Sequence, residues 1–161
     1  MQTKIIELPE RTYVGRQVTT NYDNELSTAT ARIAPAWNEF MGEQMLFDIS
    51  GRSNEACVHG LYSDYTMGHL GQYSLTIGTF VNDDSAVDSK FTLRKVPAQK
   101  YMVFTTDQGP MPDVVIDTWR HIWQFFSNNK EYERNFEADF EEYDMTKDRQ
   151  NSTMDIYIGI K

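Results

Sequence analysis

The stretch FEADFEEYD, residues 136–144, sets five carboxylates among three aromatic rings with no Lys or Arg inside it. If it is a strand, alternate side chains go to opposite faces, so Glu141 and Tyr143 share one face and Phe140 and Glu142 the other. A carboxylate withdrawn from water is costly unless it is paired, and no cation lies nearby in sequence to pair with Glu141. A bound organic cation would supply that partner, with tyrosine and tryptophan faces adding cation–π attraction of ~0.5–2 kcal/mol each when desolvated. The plainer alternative is a solvated Glu141 on an exposed strand. Glu137 reads as a rim charge, and Phe140 is expected on the side where helices pack.

Other residues with chemical potential form weaker patterns. Cys57 and His59 lie at i and i+2 in EACVHG, on one face of an expected strand. A thiol and an imidazole so placed lack an orienting third group, which favours a buried cysteine beside a hydrogen-bonded histidine over a nucleophile. His69, in the turn MGHLGQ, and His121 form no ligand-spaced cluster with it, so no metal and no other cofactor is expected. The glycines of GHLG read as a turn without the context of a phosphate loop.

Composition narrows the classes of function. With 15 basic and 24 acidic residues in 161, the net charge is −9, which opposes attraction to a nucleic-acid backbone. One cysteine permits no internal disulfide, and the start MQTKIIELPE has no apolar signal core, so a cytoplasmic setting is expected. The apolar runs fall far short of the ~20 residues that cross a bilayer, so no membrane partner is expected. Nine Tyr, nine Phe and three Trp suit either a stacking groove or an ordinary core. Phe40, Phe104, Phe125 and Phe140 are assigned to packing; Tyr62, Tyr101, Tyr143 and Trp119, with polar edges that want partners, to a groove. The eight methionines read chiefly as gap fillers.

The elements that must position these residues repeat along the chain. Pro9 with Tyr13, and Pro97 with Tyr101, sit 88 residues apart in two segments rich in β-branched residues, each read as a strand interrupted or edged by proline. An amphipathic helix face follows each: Ile33, Trp37, Phe40 and Met41 in one, Val115, Trp119, Ile122, Trp123 and Phe126 in the other. The first helix starts or bends at Pro35; the second runs from Asp113 to the SNN at 127–129. Tyr62 to Ile77 and Tyr143 to Ile158 both span fifteen positions. These landmarks indicate an internal duplication of a β-α-β-β unit. The expected fold is α+β, with half-repeats of about 1–85 and 86–161 in one domain. Its antiparallel sheet would have pseudo-twofold symmetry, helices on one side and a ligand groove on the other.

The pieces VHGLYSD, GHLGQYSLTIG, KVPAQKYMVFTTDQG, IDTWRHIWQFF and FEEYD followed by MDIYIGIK occur in an order that resembles the GyrI-like or effector-binding domain family. That family comprises ligand-binding domains of bacterial multidrug-responsive and AraC-type regulators and their free-standing relatives, including cationic-drug-binding proteins of mobile integron cassettes. The resemblance implies a groove for amphipathic, often cationic, drug-like molecules. It assigns Glu141, in the FExY motif, as the anion, with Tyr62, Trp119 and Tyr143 around it; Tyr101, Tyr73 and Trp37 complete the expected ligand-binding set. No helix-turn-helix or basic region precedes the domain, so a separate regulator protein is the expected partner if transcription is the output. The implied activity is ligand sequestration or sensing without catalysis. The alternatives are a protein-interaction module of gyrase-inhibitor type and a small hydrolase using Glu141 as general base.

Overall fold

The computed structural model describes residues 1–161. Eight strands form one antiparallel sheet: β1 (Gln2–Leu8), β2 (Arg11–Asn21), β3 (Cys57–Ser63), β4 (Gln72–Val81), β5 (Thr92–Val96), β6 (Gln99–Thr105), β7 (Arg134–Asp144) and β8 (Asp155–Ile160). A single turn, α1 (Tyr22–Glu25), leads into α2 (Ile33–Gly42), and α3 (Asp113–Asn128) is the long helix. Pro35 sits in the first turn of α2, where its missing N–H costs nothing, and α3 begins and ends where its boundary residues predict. The α+β class and the duplicated layout are as expected.

The strand order is β1-β6-β8-β7-β3-β4-β2-β5. Exchanging β1 with β5, β2 with β6, β3 with β7 and β4 with β8 returns the same order reversed, which is a pseudo-twofold. Pro9 and Pro97 each end a strand whose successor does not pair with it: β1 pairs β6, and β5 pairs β2. Each half therefore lends its first strand to the other. The central pair is β3 with β7, where Gly60 faces Glu141. Those two positions lie 81 residues apart, the interval that also separates Tyr62 from Tyr143, so the axis passes between Gly60 and Glu141.

Alternation divides the side chains as expected, but the sides differ from the expectation. Helix α2 packs Ala36 and Phe40 against Val14, Val58, Tyr62, Leu75 and Ile77. Helix α3 packs Val115 and Ile122 against Met102, Phe104, Ile156, Ile158 and Ile160. Glu141 and Tyr143 point to this helix-covered face, and the groove opens between the two helices rather than on the opposite face. Phe140 correspondingly turns away from the helices, into a cluster with Tyr13, Leu61, Phe80, Tyr101 and Val103. The reason is curvature. Val96 from one edge region, and Ile6 and Leu8 from the other, join that same cluster, so the rolled sheet fills its far side with its own side chains. Burying these aromatic and branched chains, at about 25 cal/mol per Å² of apolar surface, stabilises the roll and makes that side a packed core.

Candidate ligand-binding groove

A cavity of ≈ 900 Å³ lies over β3 and β7, walled by α2 and α3, with α1 and the β7–β8 loop at its mouth. Of its 29 lining residues 17 are hydrophobic, so its walls are chiefly apolar. At its floor Glu141 is 3 % exposed. Its Oε2 accepts a hydrogen bond from Trp119 Nε1–H at 2.7 Å, and its Oε1 accepts one from the Tyr143 hydroxyl at 2.9 Å. No Lys, Arg or His pairs with it. Burial pushes the Glu141 carboxyl above its ordinary range, and the two hydrogen bonds pull it part of the way back.

Room for this carboxylate comes from its symmetry mate. A Cβ at Gly60 would stand 2.9 Å from Trp37 Cζ2 and 3.3 Å from Glu141 Oε1. Glycine at 60 thus lets the carboxylate and the Trp37 indole share the centre of the floor. Around it the rings meet edge to face: Trp37 with Tyr143 at 5.2 Å and Tyr62 with Trp119 at 5.5 Å between centroids. Tyr73 tilts against Tyr62 at 5.8 Å. Such contacts hold each ring at an angle that leaves faces and edges available to a flat guest.

Six of the seven expected residues, Glu141, Tyr143, Tyr62, Trp119, Tyr73 and Trp37, line this one cavity. Tyr101 does not. It is 1 % exposed on the far side of the sheet, packed edge to face on Phe140 and Tyr157. It occupies the place in its half that Tyr13 occupies in the other, and both rings belong to the rolled core. Tyr22, Tyr65 and Arg134 line the groove without having been expected there. Tyr22 starts the single turn α1 and Tyr65 lies in the loop after β3, both too short or irregular for a periodicity to assign a direction, and Arg134 opens a bulged stretch of β7. Glu25 also reaches the groove; its carboxylate accepts from Thr20 Oγ1–H and from the backbone N–H of Arg32, which covers the start of α2.

His59 and Cys57 behave as the sequence suggests. His59 is buried, with Nε2 at 2.9 Å from Glu142 Oε2 and Nδ1 at 3.1 Å from Thr79 Oγ1. Burial lowers its pKa, so the ring is the neutral tautomer with Nε2–H donating to the carboxylate. Both nitrogens are engaged, leaving neither for Cys57, whose own burial raises the thiol to about 11. Nowhere do three His, Cys, Asp or Glu side chains converge in a way that would hold a metal ion. No helix is long and apolar enough to cross a membrane.

A duplicated α+β sheet whose two helices frame an aromatic groove on the symmetry axis defines an effector-binding domain. Residues 4–160 match the family of integron-associated effector binding proteins, Cass2, and the chain belongs to it. It is 31 % identical over 135 residues to YobU of Bacillus subtilis strain 168, whose name assigns it provisionally to the transcriptional regulators; the match covers 83 % of this chain and 82 % of YobU. An integron cassette protein from the mobile metagenome of Vibrio cholerae superposes with a TM-score of 0.76 at 27 % identity, covering 99 % of this chain and 95 % of that one. SAV2435, solved with tetraphenylphosphonium bound, shares the fold with a TM-score of 0.81 at 22 % identity, over 100 % of this chain and 94 % of that one.

Proposed function

We propose that this protein binds amphipathic organic cations in the groove, with Glu141 as the charge partner and Trp37, Tyr62, Tyr73, Trp119 and Tyr143 as the walls. The observation that carries this reading is a carboxylate 3 % exposed whose only polar partners are two neutral ring donors. Its desolvation is already met by the fold, so an arriving cation gains attraction without that cost. At a separation of roughly 6 Å and an effective dielectric of about 20, the attraction is about 3 kcal/mol, about a hundredfold in Kd. Tetraphenylphosphonium, the ligand seen in SAV2435, is an amphipathic organic cation with aryl faces for such walls.

The groove offers a carboxylate and aromatic walls but no arranged nucleophile, and we assign it sequestration or sensing in the cytoplasm rather than catalysis. Ligand would be held or presented to a separate regulator protein. Calorimetric titration with tetraphenylphosphonium and with an uncharged aryl analogue of equal size tests the reading. Glu141→Gln should weaken the cation about a hundredfold and the neutral compound less than threefold. Equal losses for both would remove charge pairing from the account, and release of a cleaved product over hours, abolished by Glu141→Gln, would replace binding with hydrolysis.

A further inference from the structure

A second polar group stands in the floor of the same groove. Arg134, its side chain 4 % exposed, donates from Nη2 to Asp139 Oδ2 at 2.7 Å, and Asp139 is fully buried. Both oxygens of the Asp139 carboxylate are engaged, since Oδ2 also accepts from the Tyr65 hydroxyl at 2.6 Å and Oδ1 from the backbone N–H of Gly159 at 2.8 Å. The guanidinium is not saturated. Its Nε is buried without an acceptor, and Nη1 has no protein acceptor either. Its Cζ lies 4.3 Å from the centre of the Phe136 ring, a cation–π contact that helps hold the fork in place. A buried guanidinium with unused N–H groups is incomplete in the way that a buried carboxylate without a cation is incomplete.

The two incomplete groups have a defined spacing. On β7, Asp139 is two residues from Glu141, about 7 Å, while Arg134 stands opposite Ile160 and Glu141 opposite Ile156, four residues or about 13 Å along β8. The guanidinium, reaching from Arg134 to Asp139, therefore lies roughly 10 Å from the Glu141 carboxylate. Between them the floor and walls are rings: Tyr65, Tyr73 and Tyr62. The geometry points to an acceptor subsite at Arg134, which selects among cations those that carry a hydrogen-bond acceptor, such as a carbonyl or carboxylate oxygen, about 10 Å from the positive centre across a flat aromatic body. Because Asp139 already balances the charge of Arg134, a neutral carbonyl suffices.

This assignment rests on the cation-binding reading, and the test separates the two. The probes are 4′-acetyl- and 4′-isopropyl-biphenyl-4-yl trimethylammonium, nearly equal in size, with the acetyl oxygen ~10 Å from the nitrogen by standard bond lengths. The wild-type protein should bind the acetyl compound about tenfold more tightly. In the one-ring pair, whose acetyl group cannot reach Arg134, the two affinities should agree within twofold. Arg134→Lys, which keeps a counter-charge for Asp139 but removes the planar fork, should cut the tenfold preference to twofold or less. Equal affinities of the biphenyl pair for wild type, or the same acetyl preference in the one-ring pair, would overturn the subsite whether or not the variant folds. A tert-butyl analogue of the acetyl biphenyl, lacking the charge, reads the underlying proposal separately: if it binds as tightly as the cation, the role of Glu141 fails while the acceptor comparison still stands.

Discussion

Replacing Glu141 with glutamine should make the ligand-free protein more stable at neutral pH, the opposite sign from its effect on cation binding. The amide keeps an oxygen to accept from Trp119 and an N–H₂ to face the Tyr143 oxygen, so shape and polar contacts persist while the charge goes. Burying the carboxylate costs several kcal/mol, and two hydrogen bonds to a charged acceptor return about 1.5–3 kcal/mol each. The residue is a net cost of about 1 kcal/mol, or a Tm rise of about 2–4 °C for the variant in a chain of this size. The pH dependence follows from the raised carboxyl of Glu141. A group whose pKa is higher folded than unfolded stabilises fully below its unfolded value, and that contribution is lost as pH rises through the folded value. The variant's advantage should therefore be absent in acid, near and below the unfolded carboxylate range of about 4, and reach a plateau at higher pH. Thermal denaturation of both proteins across this range is the assay. A variant less stable than wild type at pH 7, or an advantage that grows toward acid, would show that Trp119 and Tyr143 more than compensate the carboxylate. Glu141 would then be structural.

Three further outcomes are expected. Trp119→Phe keeps a ring but removes the first of the two donors holding the Glu141 charge, so the acid limb of cation binding should move to higher pH when Kd is followed against pH; an unmoved limb would contradict the role of that bond. Gly60→Ala places a methyl 2.9 Å from Trp37 Cζ2, and should cost about 1–3 kcal/mol in a denaturant titration while reducing ligand affinity. Tyr101→Phe, on the far side of the sheet, should leave cation Kd within twofold, whereas Tyr62→Phe and Tyr143→Phe should change it.

The sequence carried relative geometry well and absolute placement poorly. Strand alternation put Glu141 with Tyr143, and helical spacing put Trp37 and Trp119 on buried faces, because both periods are local properties of the backbone. Which face the helices cover is decided by the roll of the whole sheet, so Phe140 and the groove lie on the faces opposite to those the sequence predicts. Tyr101 lies elsewhere for the same reason: its polar edge suggests a groove, but the roll turns it into the far core, where its hydroxyl has no hydrogen-bond partner while that of its repeat partner Tyr13 meets the carbonyls of His59 and Thr76. The exchange of β1 and β5 between halves pairs residues 91 to 103 apart for β1 and 77 to 85 apart for β5, beyond what the two prolines signal. Gly60 reads alone as a small strand residue; only its register against Glu141 shows what it makes room for.

The pairing of Gly60 with Glu141 across the axis also says what a single chain permits and a pair of identical chains would not. In a symmetric homodimer the two positions would be the same residue. Two glycines would leave the floor without an anion, and two glutamates would set like charges against each other, forcing one to stay protonated. Joining the halves in one polypeptide frees the copies to diverge at this position. A scaffold built on twofold symmetry thereby holds a single carboxylate at its centre, the one charge partner that the proposed cationic guest requires.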